Sequence, residues 1–253
     1  RSAFNETRIG GLRGAFEQLG ADPGVRAIVL AARGPAFCAG ADLDWMRRMA
    51  GYSHAENRAD ARALAGMLRT IYLCPKPTIA RVHGDAYAGG MGLVAACDVA
   101  VAANTAHFCL SETRLGLIPA TIGPYVVRAM GEQAARRYAL TAERFDAAEA
   151  LRLGFVHAVA APEALDARVD ELLAALLQTS ASAVREAKRL VRDVAGRPID
   201  DALVDDTAER IAAIRASDDG REGVRAFLDK RKPRWVSEYE AEIAATEGDD
   251  EEM

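Results

Sequence analysis

Between Asn5 and Leu19 the apolar residues Ile9, Leu12, Phe16 and Leu19 recur every three or four positions, a spacing that lines one side of an α-helix. Gly20 is placed to end that helix. The next run, VRAIVLAA at 25–32, is rich in β-branched residues and predicts a buried strand. After a Gly-Pro turn, Phe37 and Cys38 read as extended and residues 42–49 as helical, with the join near Gly40. Residues 54–72 carry Ala, Leu and Met at helical spacing, and Pro75 and Pro77 stop the helix before a strand in TIARVHG. DVAVAA and HFCL predict short strands, and 110–128 is irregular until GPYVVRAM turns helical. From 131 onward helices are expected over 131–140, 146–153, 163–178, 181–195, 199–217 and 220–230. Strands alternating with helices, then helices alone, predict an α/β core with a helical C-terminal part. Beyond Trp235 the chain turns acidic without apolar anchors, so its final residues are expected to be mobile.

Composition narrows the classes. A chain of 253 residues, half of them hydrophobic, can bury one sizeable core and a smaller appendage. A net charge of −5 argues against a general polyanion binder, which needs a basic surface field. Cys38, Cys74, Cys97 and Cys109 form no CxxC pair, which suits a reducing compartment and small core side chains better than a disulfide framework or a zinc site. No apolar run is long enough to span a bilayer and no signal-peptide pattern opens the chain, so a soluble, cytoplasmic protein is expected. Because Arg1 rather than Met opens the sequence, a leading segment is expected to have preceded it.

Two stretches join a strand end, glycine and a helix start: FCAGADL at 37–43 and AGGMGL at 88–93. The first turn of a helix has N–H groups without intrahelical acceptors and lies at the positive end of the helix dipole, so it accommodates negatively charged oxygen. Neither stretch has the Lys and Ser/Thr of a P-loop or the GxGxxG of a dinucleotide fold. One glycine cluster alone is ordinarily a tight turn. Two of them can hold a single carbonyl oxygen that becomes an oxyanion.

FCAGADL, HGDAYAGGMGLVAACDVAVAA, FCLSETRLGLIPA and FLDKRKP, in this order up to about Trp235, resemble the successive signatures of the enoyl-CoA hydratase/isomerase (crotonase) family. The resemblance implies a spiral of ββα turns over 1–195, with the family's opening strands lying ahead of Arg1. It also implies a helical region over 196–253, ending in the acidic tail, that builds homo-trimers, often paired into hexamers. The implied substrate is an acyl-CoA thioester, with coenzyme A as part of the substrate and no separate cofactor or metal. Ala41 and Gly89 would supply the oxyanion-hole N–H groups and Glu112 the acid–base group; by itself, a carboxylate between Ser111 and Thr113 reads as a surface charge or a cap partner. The backbone of Ala39, Ala41, Asp42 and Leu43 would lie along the pantetheine and adenine. Phe227 and Lys230 would approach the nucleotide, in the same or a neighbouring subunit, and Lys230, Arg231, Lys232 and Arg234 suit phosphates. Lys230 also reads as an ordinary solvated charge.

The family's two-acid hydratases carry a second glutamate on the helix after the glycines, and the matching position here is Gly92. Glu56, Asp85 and Asp98 do not occupy that position, and Asp98 reads as a structural residue at the helix exit. Two mechanisms stay open: hydration, with Glu112 taking a proton from water, and isomerisation, with Glu112 carrying a proton between C2 and C4. GGMGLVAACD, SETRLGLIPA and DLDWMRRMA resemble the methylglutaconyl-CoA hydratase branch, associated with leucine breakdown, which favours hydration of a short branched enoyl-CoA such as 3-methylglutaconyl-CoA. A distal carboxylate would call for a cation, for which Arg47, Arg48 and Arg114 are candidates. Tyr125 and His83 read either as groups that position the acyl end or as packed core.

Two non-enzymatic readings stand beside these. Some family members bind RNA, and the arginines along 185–197 could form a basic face, but the charge balance is acidic and aromatics are not interleaved with the basic residues. A silent assembly protein is the other. Glu112 and the two intact glycine loops argue against it.

Overall fold

The computed structural model describes residues 3–250, which form two compact units, one closing at Glu171 and one opening at Leu172. In the first unit, α1 (Glu6–Ala21) starts at Asn5, whose side chain accepts the Arg8 N–H. The helix runs past Gly20 instead of ending there. An added Cβ on Gly20 would lie 3.3 Å from Pro75 Cδ, so this glycine serves close packing and not termination. β1 (Ile28–Ala31) covers only the middle of the run from 25 to 32. Ile28 and Leu30 face the core while Val29 and Ala31 are exposed, so the strand is buried on one face, not on both.

The chain continues through α2 (Leu43–Met49) and α3 (His54–Tyr72), the latter opened by a capping box between Ser53 and Glu56. Then follow β2 (Thr78–Val82), β3 (Ala86–Tyr87), α4 (Gly89–Ala96), β4 (Val99–Ala103) and β5 (His107–Cys109). A 3-10 turn over Glu112–Leu115 leads to α5 (Gly123–Met130), α6 (Glu132–Thr141), β6 (Phe145–Asp146), α7 (Ala147–Arg152), β7 (Ala158–Ala160) and α8 (Leu165–Leu177). β6 and β7 fall in the stretch read as mostly helical; with two and three residues they are too short to show a period.

Two sheets organise this unit. The first has the order β1-β2-β4-β7 and is parallel throughout; the second has the order β3-β5-β6, with β3 and β5 parallel and β6 antiparallel. The chain lays one strand in the first sheet, one in the second and then a helix: β2, β3, α4, then β4, β5 and α5. This is the ββα spiral. Asp98 fastens the exit of α4 to the start of β2: its carboxylate accepts the Thr78 N–H (2.8 Å) and hydroxyl (3.0 Å), and its own N–H donates to Thr78 Oγ1 (2.9 Å). On β5, the Phe108 ring packs against Phe145 and Phe155 at centroid distances of 5.6 and 5.3 Å.

The second unit is helical: α9 (Ala181–Val194), α10 (Asp201–Ala216), α11 (Asp218–Leu228) and α12 (Arg234–Asp250). Asp219 accepts hydrogen bonds from Ser180, Ser182 and Arg234, tying the start of α9 to the start of α12. The acidic tail is therefore helical as far as Asp250, where a trailing end was expected. Val236 is buried, and Glu238 and Glu240 lie against Arg234 and Lys232, so the segment has both an anchor and counter-charges. The last three residues, 251–253, lie outside the described residues. All four cysteines are buried thiols outside any disulfide, and among the described residues no helix is long and apolar enough to cross a membrane.

Candidate active site

The two glycine loops lie directly against each other. Cys38 bridges to Ala86: the Cys38 N–H donates to Asp85 O (3.0 Å) and the Tyr87 N–H donates to Cys38 O (2.9 Å). An added Cβ on Gly90 would stand 2.8 Å from Cys38 Cβ, so only glycine allows the start of α4 to press onto the first loop. Gly40 has φ +95°, a conformation glycine adopts without strain, and it turns the chain so that Ala41 follows the strand-like Cys38. Phe4 joins the pair from the N-terminal side. Its N–H donates to Gly40 O (2.9 Å), its carbonyl accepts the Asp42 N–H (2.8 Å), and its ring would lie 2.7 Å from a Cβ on Gly89. Among the described residues, no acceptor takes the N–H of Ala41 or of Gly89.

The residue between the second loop and its helix is strained. Ala88 has φ 49° and ψ −119°, a region that a Cβ disfavours. It is held there by its N–H donating to Cys109 O (2.9 Å) and by its carbonyl accepting from Met91 N–H (2.9 Å). Strain of this kind costs about 1–3 kcal/mol and persists where the surroundings over-determine it, often beside functional groups. The sequence offered no sign of it, because Ala is an ordinary residue in most contexts.

Glu112 begins the 3-10 turn that follows β5, three residues after Cys109, whose carbonyl holds the Ala88 N–H. Its Oε2 is buried and has no hydrogen-bond partner, and burial raises its pKa above the ordinary carboxylate range. A buried acceptor without a partner is costly in a folded protein and is a feature of sites that await a ligand. Gly92 lies on α4, one turn beyond Gly89, and the space beside it is filled by Ile122.

The remaining candidates are distributed as follows. Asp42 caps α2, its Oδ1 accepting the N–H groups of Asp44 (3.0 Å) and Trp45 (3.2 Å), and its own N–H is taken by Phe4 O. Ala39 and Ala41 are half-buried in the same loop, and Leu43 is exposed at the start of α2. Phe227 and Lys230 belong to the second unit, at the end of α11, where Phe227 is 81% exposed. Of the three candidate arginines, Arg47 pairs with Asp44 and Arg48 makes a two-pronged contact with Glu6 (2.7 and 3.0 Å). Arg114 is exposed and pairs with no carboxylate among the described residues. Tyr125 packs edge-on against Tyr72 at 5.4 Å, and His83 Nε2 meets Gly34 O at 2.7 Å, both in packed settings. Sequence reasoning missed Phe4, Ala88 and Ile122, as well as a cluster around Asp85; only Asp85 and Tyr87, two apart at the start of β3, gave any signal.

Residues 1–238 match the model of the enoyl-CoA hydratase/isomerase family. The structure superimposes on the crystal structure of an enoyl-CoA hydratase from Shewanella pealeana with a TM-score of 0.89, at 45% identity over 92% of this chain and 87% of that one. A mevalonyl-coenzyme A hydratase of Aspergillus fumigatus is 36% identical over 220 residues, 84% of this chain and 78% of the relative. A crotonyl-CoA hydratase of Syntrophomonas wolfei is 32% identical over 238 residues, 93% and 90%. The chain belongs to the enoyl-CoA hydratase/isomerase family and has its crotonase fold.

Proposed function

We propose that the protein adds water across the C2=C3 bond of an enoyl-CoA thioester. The observation that carries this is Glu112 Oε2, a buried carboxylate oxygen without a partner, in the turn that follows β5, the strand whose Cys109 carbonyl holds Ala88 beside Gly89. Water oxygen bonds to C3 as Glu112 takes a proton from it, and the C2=C3 electrons move onto the thioester oxygen. The Ala41 and Gly89 N–H groups stabilise that enolate, and because they are fixed beforehand they need little reorganisation. Glu112 then returns the proton to C2, completing a 3-hydroxyacyl-CoA. A single carboxylate serves both transfers, since Ile122 fills the place beside Gly92.

That same filling favours, as a second reading, an isomerase in which Glu112 moves a proton between C2 and C4. For the hydratase we infer a short branched substrate carrying a distal carboxylate, such as 3-methylglutaconyl-CoA. The branch-level likeness of the motifs supports this, as does Arg114, the one of the three candidate cations that is not already paired. Phe227 and Lys230 are proposed contacts of the nucleotide, and the exposed Leu115, Leu117 and Ile118 support assembly into a homo-oligomer. The test is a panel of enoyl-CoA esters that includes 3-methylglutaconyl-CoA, with products resolved by chromatographic retention and by mass. Gain of one water is expected; a product of unchanged mass assigns the isomerase, and an unaltered panel removes the enzymatic reading.

A further inference from the structure

Asp85 gathers three donors from three parts of the second sheet. Its Oδ2 accepts the Tyr87 hydroxyl at 2.7 Å and Arg144 Nη2 at 3.2 Å, and its Oδ1 accepts the His107 N–H at 3.0 Å. Arg144 also stands over the Tyr87 ring, 5.9 Å from its centroid. Tyr87 lies on β3, His107 on β5, and Arg144 immediately before β6, so the cluster spans the three strands. Burial first, and the Asp85 hydrogen bond next, push the Tyr87 phenol up to about 12, which keeps it a neutral donor to Asp85.

This cluster borders both candidate amides through the backbone. Asp85 O and the Tyr87 N–H bracket Cys38, the first residue of the loop that leads to Ala41. Tyr87 is followed by the strained Ala88 and then by Gly89. A turn with φ 49° would relax if its flanks could move, and the flank on its N-terminal side is fixed by the Tyr87 hydroxyl on Asp85. We propose that Asp85 and Tyr87 are positioning residues, whose hydrogen bond holds the Ala88 turn so that the Gly89 N–H is aimed at the thioester oxygen. The proposal rests on the assignment of Gly89 as an oxyanion donor. A misplacement on the order of 1 Å at such a donor can cost as much as about 10²-fold in rate, so the effect belongs in turnover more than in substrate affinity.

Tyr87→Phe removes one oxygen and keeps the ring, and Asp85→Asn keeps the shape while weakening the acceptor. Each variant is compared with the parent in kcat, in KM and in the absorption of a bound conjugated enoyl-CoA, whose band moves to the red when hydrogen bonds polarise its thioester oxygen. Both variants are expected to lose roughly tenfold or more in kcat, with KM within about twofold and with a smaller red shift. Variants that melt earlier but keep the parental kcat and red shift would assign the cluster a purely structural role and overturn the proposal; if Asp85→Asn does not fold, Tyr87→Phe alone decides. A parent that turns over no enoyl-CoA and shifts no band overturns the assignment of Gly89, and this inference with it. A shifting parent matched by both variants overturns the positioning role alone.

Discussion

Ile122 occupies the volume that a side chain at Gly92 would need: an ideal Cβ on Gly92 would lie 2.3 Å from Ile122 Cγ2 and 2.9 Å from its Cβ. Both residues are buried, and Ile122 Cβ is attached directly to its backbone, so the clash cannot be relieved by swinging a flexible tip. Gly92→Glu therefore does not create a second acid. We expect it to destabilise the fold by at least the roughly 1–3 kcal/mol of an overpacked core, together with the cost of a buried charge. Combining it with Ile122→Ala should recover part of that loss, so that the double variant is more stable than the sum of the singles; urea midpoints measure the coupling.

Glu112→Gln keeps the shape and removes the base. If Glu112 transfers the proton, kcat should fall by roughly 10²–10⁴ with the fold intact. Burial raises the pKa of the Glu112 carboxyl, so the acid limb of kcat/KM in the parent should rise with pH at a point above the ordinary carboxylate range. Stability has the opposite sign. Between the unfolded and the raised folded pKa the native state binds more protons, so the contribution of Glu112 is greatest at low pH and is lost as pH rises through the folded value. The Gln variant should therefore gain on the parent over that window and stay at least as stable at neutral pH, as thermal melts at several pH values would register.

Much of the spiral was legible because its helices are long enough to show a period. The helix over 54–72 has the same limits in the sequence and the structure, and Pro75 follows it as expected. β3, β6 and β7 were not legible, since two or three residues carry no alternation and are set by pairing with distant strands. At the site, glycines showed where the backbone comes close, but not what it comes close to. Phe4 over Gly89 and Ile122 beside Gly92 are contacts between residues 85 and 30 positions apart, and no local pattern encodes them. The strain at Ala88 was equally hidden, because it arises from what the flanking residues impose on an unremarkable side chain.

Ala88→Gly should relieve that strain. The gain of about 1–3 kcal/mol from an unstrained left-handed turn is offset by the roughly 0.4–1 kcal/mol that glycine adds to the freedom of the unfolded chain. A net stabilisation of about 1 kcal/mol is expected, seen as a melting midpoint higher by about 2–4 °C for a domain of this size. Ala88→Val should move the midpoint the other way, since a β-branched side chain tolerates φ 49° still less well.

Gly89 can be tested by separating its size from its N–H. Gly89→Ala brings a Cβ to within 2.7 Å of the Phe4 ring but keeps the donor. Gly89→Pro brings the same Cβ and deletes the donor, at the first position of α4, where a helix tolerates proline. The difference between the two variants reads the lost N–H together with the restriction that proline places on Ala88 before it, and their melting midpoints gauge the second. We expect Pro to lie roughly 10²–10³-fold below Ala in kcat, the usual loss for one oxyanion-hole donor. Equal rates for the two would mean that the Gly89 N–H does not face the reacting oxygen.

If the substrate carries a distal carboxylate, Arg114 is the candidate cation left for it once Arg47 is paired with Asp44 and Arg48 with Glu6. It lies two residues beyond Glu112 in the same turn, and its charge reaches the site's edge: burial pushes the Cys109 thiol up, and Arg114 pulls against that rise. A charge-assisted hydrogen bond contributes about 1.5–3 kcal/mol, so Arg114→Ala should lower kcat/KM for 3-methylglutaconyl-CoA by roughly 10–100-fold. An uncharged enoyl-CoA of similar length should lose little, because its terminus offers the guanidinium nothing to bind. Arg48→Ala, which releases Glu6 and Tyr52, should leave the ratio of the two substrates unchanged. An equal loss on both substrates in Arg114→Ala would assign this arginine to the shape of the turn and leave the distal carboxylate without a partner.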